Sequence, residues 1–158
     1  MITEPTVRKA VDLAIQTEEI GIKFYQRIAK KFEEQPEIAE TFRRLAEDEK
    51  KHAARFRTIL ETAPENPPDM QSVPERLEYL RAITVSEVFK GPAFKDLQDR
   101  VESMEDALQV ALDFEMATLQ VYLGLKDVVG EEASLEAVIT EERGHIVRLF
   151  SHLEKIRA

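Results

Sequence analysis

Apolar residues recur at alternating steps of three and four along four long stretches of this chain, and this repeat strongly constrains the fold. The four stretches lie at about residues 4–32, 36–61, 103–129 and 131–156. Such a repeat places one apolar stripe on each helix, as in helices that pack side by side in a bundle. Glycine and proline are sparse, with 5 and 7 residues, which also favours helices over a sheet. The pattern therefore predicts an all-α protein.

The segment between the second and third stretches, 62–102, lacks this repeat and contains most of the prolines. Within it, about residues 74–90 form one short amphipathic pattern that Gly91 and Pro92 close. The links inside the first and the second helix pair are short, so each pair should be antiparallel. The sequence therefore predicts a single domain over 1–158, an antiparallel four-helix bundle with one long crossover containing a short fifth helix.

Composition excludes several classes of function. The chain has no cysteine, which rules out disulfides, thiolate metal sites and iron–sulfur clusters held by it. Its net charge of -9 argues against nucleic acid or an anionic membrane as a partner. No apolar run approaches the roughly 20 residues needed to span a bilayer, and the first residues do not resemble a secretory signal. A cytoplasmic protein is the expectation.

Each apolar stripe carries a glutamate near its middle, and two stripes add a histidine one turn later. The six residues are Glu18, Glu49, His52, Glu115, Glu142 and His145. Residues three apart on a helix face the same way, so each Glu–His pair can close on one metal ion. Burial and mutual repulsion would favour protonation of four neighbouring carboxylates, whereas two divalent cations would balance their charge. In the alternative, both pairs lie on the surface, which requires the stripes to be out of phase.

The six residues also follow an internal duplication. In each half a glutamate is followed seven residues later by a tyrosine, and the next helix carries Glu-x-x-His. The tyrosines are Tyr25 and Tyr122. Two similar halves imply a site with a pseudo-twofold axis. Carboxylate and imidazole ligands without thiolate suit iron or manganese, with zinc as a possible substitute.

This layout resembles the di-iron carboxylate site of ferritin-like bundles. More narrowly, the chain resembles the rubrerythrin family in QTEEIGIKFY at 16–25, LAEDEKKHA at 45–53, DFE at 113–115 and EERGH at 141–145. The resemblance implies a ferritin-like bundle in which the six residues hold two iron ions. By the same analogy, Glu49 and Glu142 would bridge the two ions.

The chain departs from the rubrerythrin pattern in two ways. Typical members add a rubredoxin-like iron site held by four cysteines, and this chain has none. Many also carry an extra glutamate one turn after the third-helix ligand, where this chain has Thr118. The family links that glutamate to a redox-dependent shift of one iron. Its absence therefore bears on the peroxidase mechanism rather than on the metal site.

Three functions are compatible with these residues. The resemblance implies a di-iron oxidoreductase that reduces hydrogen peroxide or dioxygen in oxidative-stress defence, with electrons from a separate, rubredoxin-like donor. The alternative is a ferroxidase that takes up and oxidises Fe(II) for iron sequestration. In the third, the metals only stabilise the bundle, but two ions with so few ligands should have open coordination positions. A homodimer is expected.

The remaining polar residues near the site leave alternatives open. Tyr25 and Tyr122 either donate hydrogen bonds to ligands from the opposite helix pair or pack in the core with locally satisfied hydroxyls. Thr118 is expected to face the site without binding metal, and His152 to lie at the end of the bundle or at an interface. Solvated positions are predicted for the acidic residues beside the ligands, which are Glu19, Glu47, Asp48 and Glu141.

Overall fold

The computed structural model describes residues 7–62, 97–130 and 132–158, together with the isolated positions 75, 78 and 82. These residues form four long helices and a short 3-10 helix, and none of them is in a strand. The elements are α1 (Val7–Lys31), α2 (Pro36–Thr62), η1 (Leu97–Arg100), α3 (Met104–Val129) and α4 (Ala133–Arg157). The predicted all-α class is confirmed. The predicted fifth helix at 74–90 lies outside the described residues, apart from the three isolated positions.

Local signals in the sequence account for several helix ends. Pro36 is the first residue of α2, where its fixed φ and missing N–H are tolerated. Ser103 and Asp106 form a capping box before α3, in which each side chain accepts a backbone N–H of the other at 3.1 Å. After α3, Gly130 has a φ of 85° and donates its N–H to the carbonyl of Lys126 at 2.9 Å.

The helices within each pair are antiparallel. Val11 near the start of α1 shares a buried apolar cluster with Phe56 near the end of α2, and Glu105 at the start of α3 contacts Arg157 at the end of α4 at 2.7 Å. Packing between α1 and α3 and between α2 and α4 closes the bundle. The arrangement is the one that the short links within each pair predict.

The chain changes ends of the bundle between α2 and η1. Helix α2 ends at Thr62, beside the start of its antiparallel neighbour α1. The carbonyl of Val101, just after η1, instead accepts a hydrogen bond from Nζ of Lys31 at the far end of α1. A helix of 25 residues is about 37 Å long, so the chain crosses roughly this distance between the two points. The long crossover predicted from the proline-rich segment accounts for this connection.

The buried core consists of two apolar clusters near the two ends of the bundle. One contains Phe24, Phe42, Leu45, Leu108 and Leu149, and the other contains Val11, Phe56, Leu125, Leu135 and Val138. Along every long helix, the buried glutamate lies between residues of the first cluster and residues of the second. A polar layer therefore separates two well-packed apolar ends. No helix among the described residues is long and apolar enough to cross a membrane.

Candidate metal centre

Six buried ionisable side chains meet halfway along the bundle, and we call them the inner cluster. They are Glu18 on α1, Glu49 and His52 on α2, Glu115 on α3, and Glu142 and His145 on α4. Five of the six side chains are 0% exposed and His145 is 2% exposed. The structure thus brings together all six residues singled out in the sequence.

Ligand atoms of the inner cluster fall into two overlapping groups. In the first group, atoms of Glu18, Glu49, His52 and Glu142 lie within 4.8 Å of one another. In the second, the same holds for Glu49, Glu115, Glu142 and His145. We call these the His52 subsite and the His145 subsite. Glu49 and Glu142 belong to both, which is the placement needed for carboxylates that bridge two cations.

Unsatisfied polar atoms test whether the cluster fits a pair of cations. Seven buried side-chain nitrogen or oxygen atoms in the described residues have no partner in a well-formed hydrogen bond, although some lie within ion-pair distance of one another, and six of them belong to the inner cluster. They are Oε2 of Glu18, both carboxylate oxygens of Glu49, Nδ1 of His52, Oε2 of Glu115 and Oε1 of Glu142. An unpaired buried oxygen or ring nitrogen costs free energy, and coordination to a cation removes that cost. The residues therefore fit a dinuclear metal site.

The carboxyl groups of the cluster repel one another. Burial, reinforced by the charges of Glu18 and Glu115, raises the pKa of Glu49 well above its usual value. Burial and the charge of Glu142 raise the pKa of Glu115 to about 8. Burial also opposes ionisation of Glu142, but contacts with Glu115, His145 and His52 outweigh it and lower the pKa of Glu142.

Protons on the imidazoles relieve part of this repulsion. Burial alone would lower the pKa of His145, but contacts with Glu115 and Glu142 raise that pKa to about 11. The pKa of His52 is raised in the same way. Its Nδ1 lies 3.0 Å from Oε1 of Glu142, and nearby carboxylates outweigh the effect of burial. Without cations the cluster therefore retains protons. Metal ions would displace them, since metal ligands must be deprotonated.

Two tyrosine hydroxyls form hydrogen bonds with glutamates of the inner cluster, each across the two helix pairs. Tyr25 on α1 donates to Oε1 of Glu115 on α3, and Tyr122 on α3 donates to Oε1 of Glu18 on α1. Both side chains are fully buried. Of the two interpretations left open by the sequence, the structure shows hydrogen bonds to residues of the opposite pair. Each hydroxyl fixes one carboxylate oxygen and leaves the other free to bind a cation.

Two further carboxylates contact the outer nitrogens of the histidines. Oε2 of Glu141 lies 2.7 Å from Nε2 of His52, and Oδ2 of Asp48 lies 3.3 Å from Nε2 of His145. Such contacts keep the proton on Nε2 and direct the Nδ1 lone pair towards the metal position. We call Asp48 and Glu141 the outer carboxylates. The prediction of simple solvated positions was wrong for both.

The outer carboxylates occupy a recognisable position in the sequence, although helix periodicity alone does not predict their contacts with the histidines. Each directly precedes the glutamate of a Glu-x-x-His motif, once in α2 and once in α4. Both are only partly exposed and form ion pairs with basic side chains, Asp48 with Lys51 at 2.9 Å and Glu141 with Arg55 at 3.0 Å. By contrast, Glu19 and Glu47 make exposed ion pairs, as predicted for a solvated face.

The structure also locates the remaining candidates. Thr118 is 0% exposed, and its hydroxyl is the seventh buried atom without a partner. His152, near the end of α4, contacts the hydroxyl of Thr41, near the start of α2, at 3.1 Å and belongs to neither subsite. At Gly21 a Cβ would lie 3.0 Å from Oε2 of Glu49, whereas nothing lies within 4 Å of one at Gly144. Gly21 therefore leaves room for a carboxylate of the cluster.

Comparisons with known proteins agree with this geometry. Residues 9–154, which include the whole inner cluster, match the family model described as Rubrerythrin. The chain belongs to the rubrerythrin family. A crystal structure described as that of a ferritin-like diiron-carboxylate protein from Thermotoga maritima is similar, with a TM-score of 0.67 and 22% identity over 98% of each chain. At this identity the likeness shows the ferritin-like fold of this rubrerythrin-family chain. No curated protein sequence matches it.

Proposed function

We propose that this rubrerythrin-family protein binds two iron ions in the inner cluster and reduces hydrogen peroxide or dioxygen with electrons from a separate donor protein. One observation supports this above all. The inner cluster contains four buried carboxylates with unpaired oxygens, arranged as two subsites that share Glu49 and Glu142. A metal that only stabilised the bundle would need a closed ligand set, whereas four carboxylates, two of them shared, and two imidazoles leave coordination positions open on two ions.

The donor atoms limit the metal to a few candidates, and membership of the rubrerythrin family favours iron among them. All ligands are carboxylate oxygens or ring nitrogens, because the chain has no cysteine. This donor set suits iron or manganese, and zinc is a possible substitute. In the His52 subsite the ligands would be Glu18, Glu49, Glu142 and Nδ1 of His52. The His145 subsite would use Glu115 in place of Glu18, and Nδ1 of His145.

When bound, a pair of ferrous ions supplies the two electrons that, with two protons, reduce one molecule of hydrogen peroxide to two molecules of water. The residues of the chain provide the setting for this reaction. The two apolar clusters exclude bulk water from both sides of the polar layer. Tyr25 and Tyr122 hold Glu115 and Glu18 in place. The outer carboxylates connect the buried imidazoles to the surface, where protons enter.

Electrons must come from another molecule in this proposal. The chain contains no cysteine, so it cannot hold the four-cysteine iron site that typical family members add. A rubredoxin-like donor protein would supply this function from outside. The homodimer expected from the sequence stays a prediction, which the mass measured by size-exclusion chromatography with light scattering tests.

A ferroxidase is the second candidate. Thr118 stands where many rubrerythrins have an additional carboxylate, and it leaves a ligand set of four glutamates and two histidines. That set resembles the ferroxidase centre of bacterioferritin. In this case dioxygen would oxidise the ferrous protein rapidly, and no donor protein would be needed.

Iron binding and oxidation distinguish these possibilities. Elemental analysis should find two iron ions per chain after anaerobic loading with Fe(II), and fewer in Glu49→Ala and Glu142→Ala. Glu47→Ala is the matched control, because Glu47 is an exposed acid on the same helix as Glu49. Stopped-flow absorption after mixing the loaded protein with hydrogen peroxide or with dioxygen then identifies the faster oxidant. If neither oxidises the protein faster than free Fe(II), both redox functions are contradicted.

A further inference from the structure

Thr118 on α3 has a buried hydroxyl that no described residue satisfies. Its side chain is 0% exposed, so water at the protein surface does not replace the missing partner. Thr118 lies one turn after Glu115 and one turn before Tyr122, and residues at this spacing project from the same face of a helix. Since Glu115 belongs to the inner cluster and Tyr122 donates to Glu18, the hydroxyl faces the interior at the level of the cluster.

The other threonines show that this conformation is not the ordinary one for a helix. Each of the five other threonines in the described residues donates its hydroxyl to the carbonyl four residues earlier. These are Thr17, Thr41, Thr58, Thr62 and Thr140, with distances of 2.8, 3.0, 3.2, 3.4 and 3.0 Å. This bond is the usual way for a helical threonine to satisfy its hydroxyl. Thr118 alone among them does not make it, and its donor is therefore available to another group.

The internal duplication shows what Thr118 adjoins. Glu18 and Glu115 are equivalent in the two halves, so the residue three positions later is Gly21 in one half and Thr118 in the other. A Cβ at Gly21 would lie 3.0 Å from Oε2 of Glu49. This position thus borders a shared carboxylate of the cluster. In the first half this position has no side chain, because it is Gly21, and in the second half it carries the hydroxyl of Thr118.

We propose that Thr118 donates a hydrogen bond to a small oxygen ligand, such as water, hydroxide or hydrogen peroxide, that enters the inner cluster. This inference rests on the proposed function. The carboxylates of the cluster only accept hydrogen bonds when ionised, and the hydroxyls of Tyr25 and Tyr122 already donate to Glu115 and Glu18. Thr118 is thus the free hydroxyl donor among the described residues of this polar layer. It is a positioning residue that makes one subsite differ from the other.

Azide, a small anion, is a suitable probe for this donor. Thr118→Val keeps the shape of the side chain and removes the hydroxyl, whereas Thr118→Ser retains the hydroxyl. In the oxidised, iron-loaded protein, a visible-absorption titration should give about tenfold weaker azide binding for Thr118→Val. Thr118→Ser should stay within about twofold of wild type. Thr17→Val is the control, because Thr17 is also buried but donates its hydroxyl to the carbonyl of Leu13, so the azide affinity of this variant should be unchanged.

A second measurement does not depend on metal. In the metal-free protein, Thr118→Val should raise the urea midpoint because it removes an unpaired buried hydroxyl, while Thr17→Val should lower it by removing a satisfied one. Two iron ions per chain with unchanged azide affinity in Thr118→Val would overturn this inference alone. A lowered urea midpoint in that variant would show a structural hydroxyl and overturn it as well. Wild-type protein that failed to bind two iron ions would overturn the proposed function together with it.

Discussion

Tyr122 on α3 donates its hydroxyl to Glu18 on α1, and the equivalent bond from Tyr25 on α1 to Glu115 runs in the opposite direction. Each half of the duplication therefore holds one carboxylate of the other half. The tyrosines come from the helix pairs that the crossover connects, so the two bonds join those pairs at the polar layer. Neither half can orient its own first glutamate without the other.

Replacement of either tyrosine by phenylalanine should destabilise the protein by about 1–3 kcal/mol, because a buried carboxylate oxygen loses its only donor. Tyr122→Phe removes the donor to Glu18, and Tyr25→Phe removes the donor to Glu115. The pseudo-twofold relation predicts similar losses for the two variants. Urea denaturation of the metal-loaded protein measures them. Unchanged stability in both variants would show that the two hydrogen bonds contribute nothing.

The outer carboxylates should control metal affinity from outside the ligand set. Glu141→Gln and Asp48→Asn remove the acceptor charge that fixes the histidine ring, and a loss of about 10–100-fold in affinity is expected. The loss should be larger for Glu141, because its contact with His52 is 2.7 Å and that of Asp48 with His145 is 3.3 Å. Competition with a chromophoric chelator measures both, with Glu47→Gln as the control. Equal affinities in all three variants would contradict the assigned role.

Helix periodicity predicts which residues point inward. It does not predict what the residues on either flank of the apolar stripe contact on the neighbouring helices. The inner cluster lies on the apolar stripes, so the repeat of three and four was enough to find it. Asp48 and Glu141 lie on flanks of their helices, one residue away from a ligand. A flank is solvated or covered according to how close the next helix approaches, and this distance depends on side chains from both helices. The same limit applies to Gly21 and Gly144, which look alike in the sequence and differ in what surrounds them.

These two glycines provide a matched pair of substitutions. Alanine favours a helix over glycine by about 1 kcal/mol, so Gly144→Ala, with nothing within 4 Å, should stabilise the protein and leave metal binding unchanged. At Gly21 the new Cβ would lie 3.0 Å from Oε2 of Glu49 and 3.1 Å from the ring of Phe114. The carboxylate must shift, so Gly21→Ala should weaken metal binding. Thermal unfolding and metal titration test both variants, and equal metal affinity would show that Glu49 has room to move.

The stability of the metal-free protein should fall as pH rises above about 5. The pKa of Glu115 is raised to about 8 by burial and by the charge of Glu142. The folded state therefore binds more protons than the unfolded state between the ordinary pKa of a glutamate, 4.5, and about pH 8. Stability then decreases with pH across this window, by at most about 1.4 kcal/mol per pH unit for one proton. His145, with a pKa raised to about 11, acts in the same direction above its ordinary pKa of 6.5.

Metal ions should reverse this dependence, because they take the place of the bound protons. Metal affinity should therefore increase between pH 5 and pH 8, with release of protons that a weakly buffered solution containing a pH indicator detects. Glu115→Gln is the informative variant, since it removes one titrating group from the polar layer. In its metal-free form the loss of stability with pH should be smaller than in wild type. An equally steep loss in this variant would mean that Glu115 is already ionised in the folded metal-free protein.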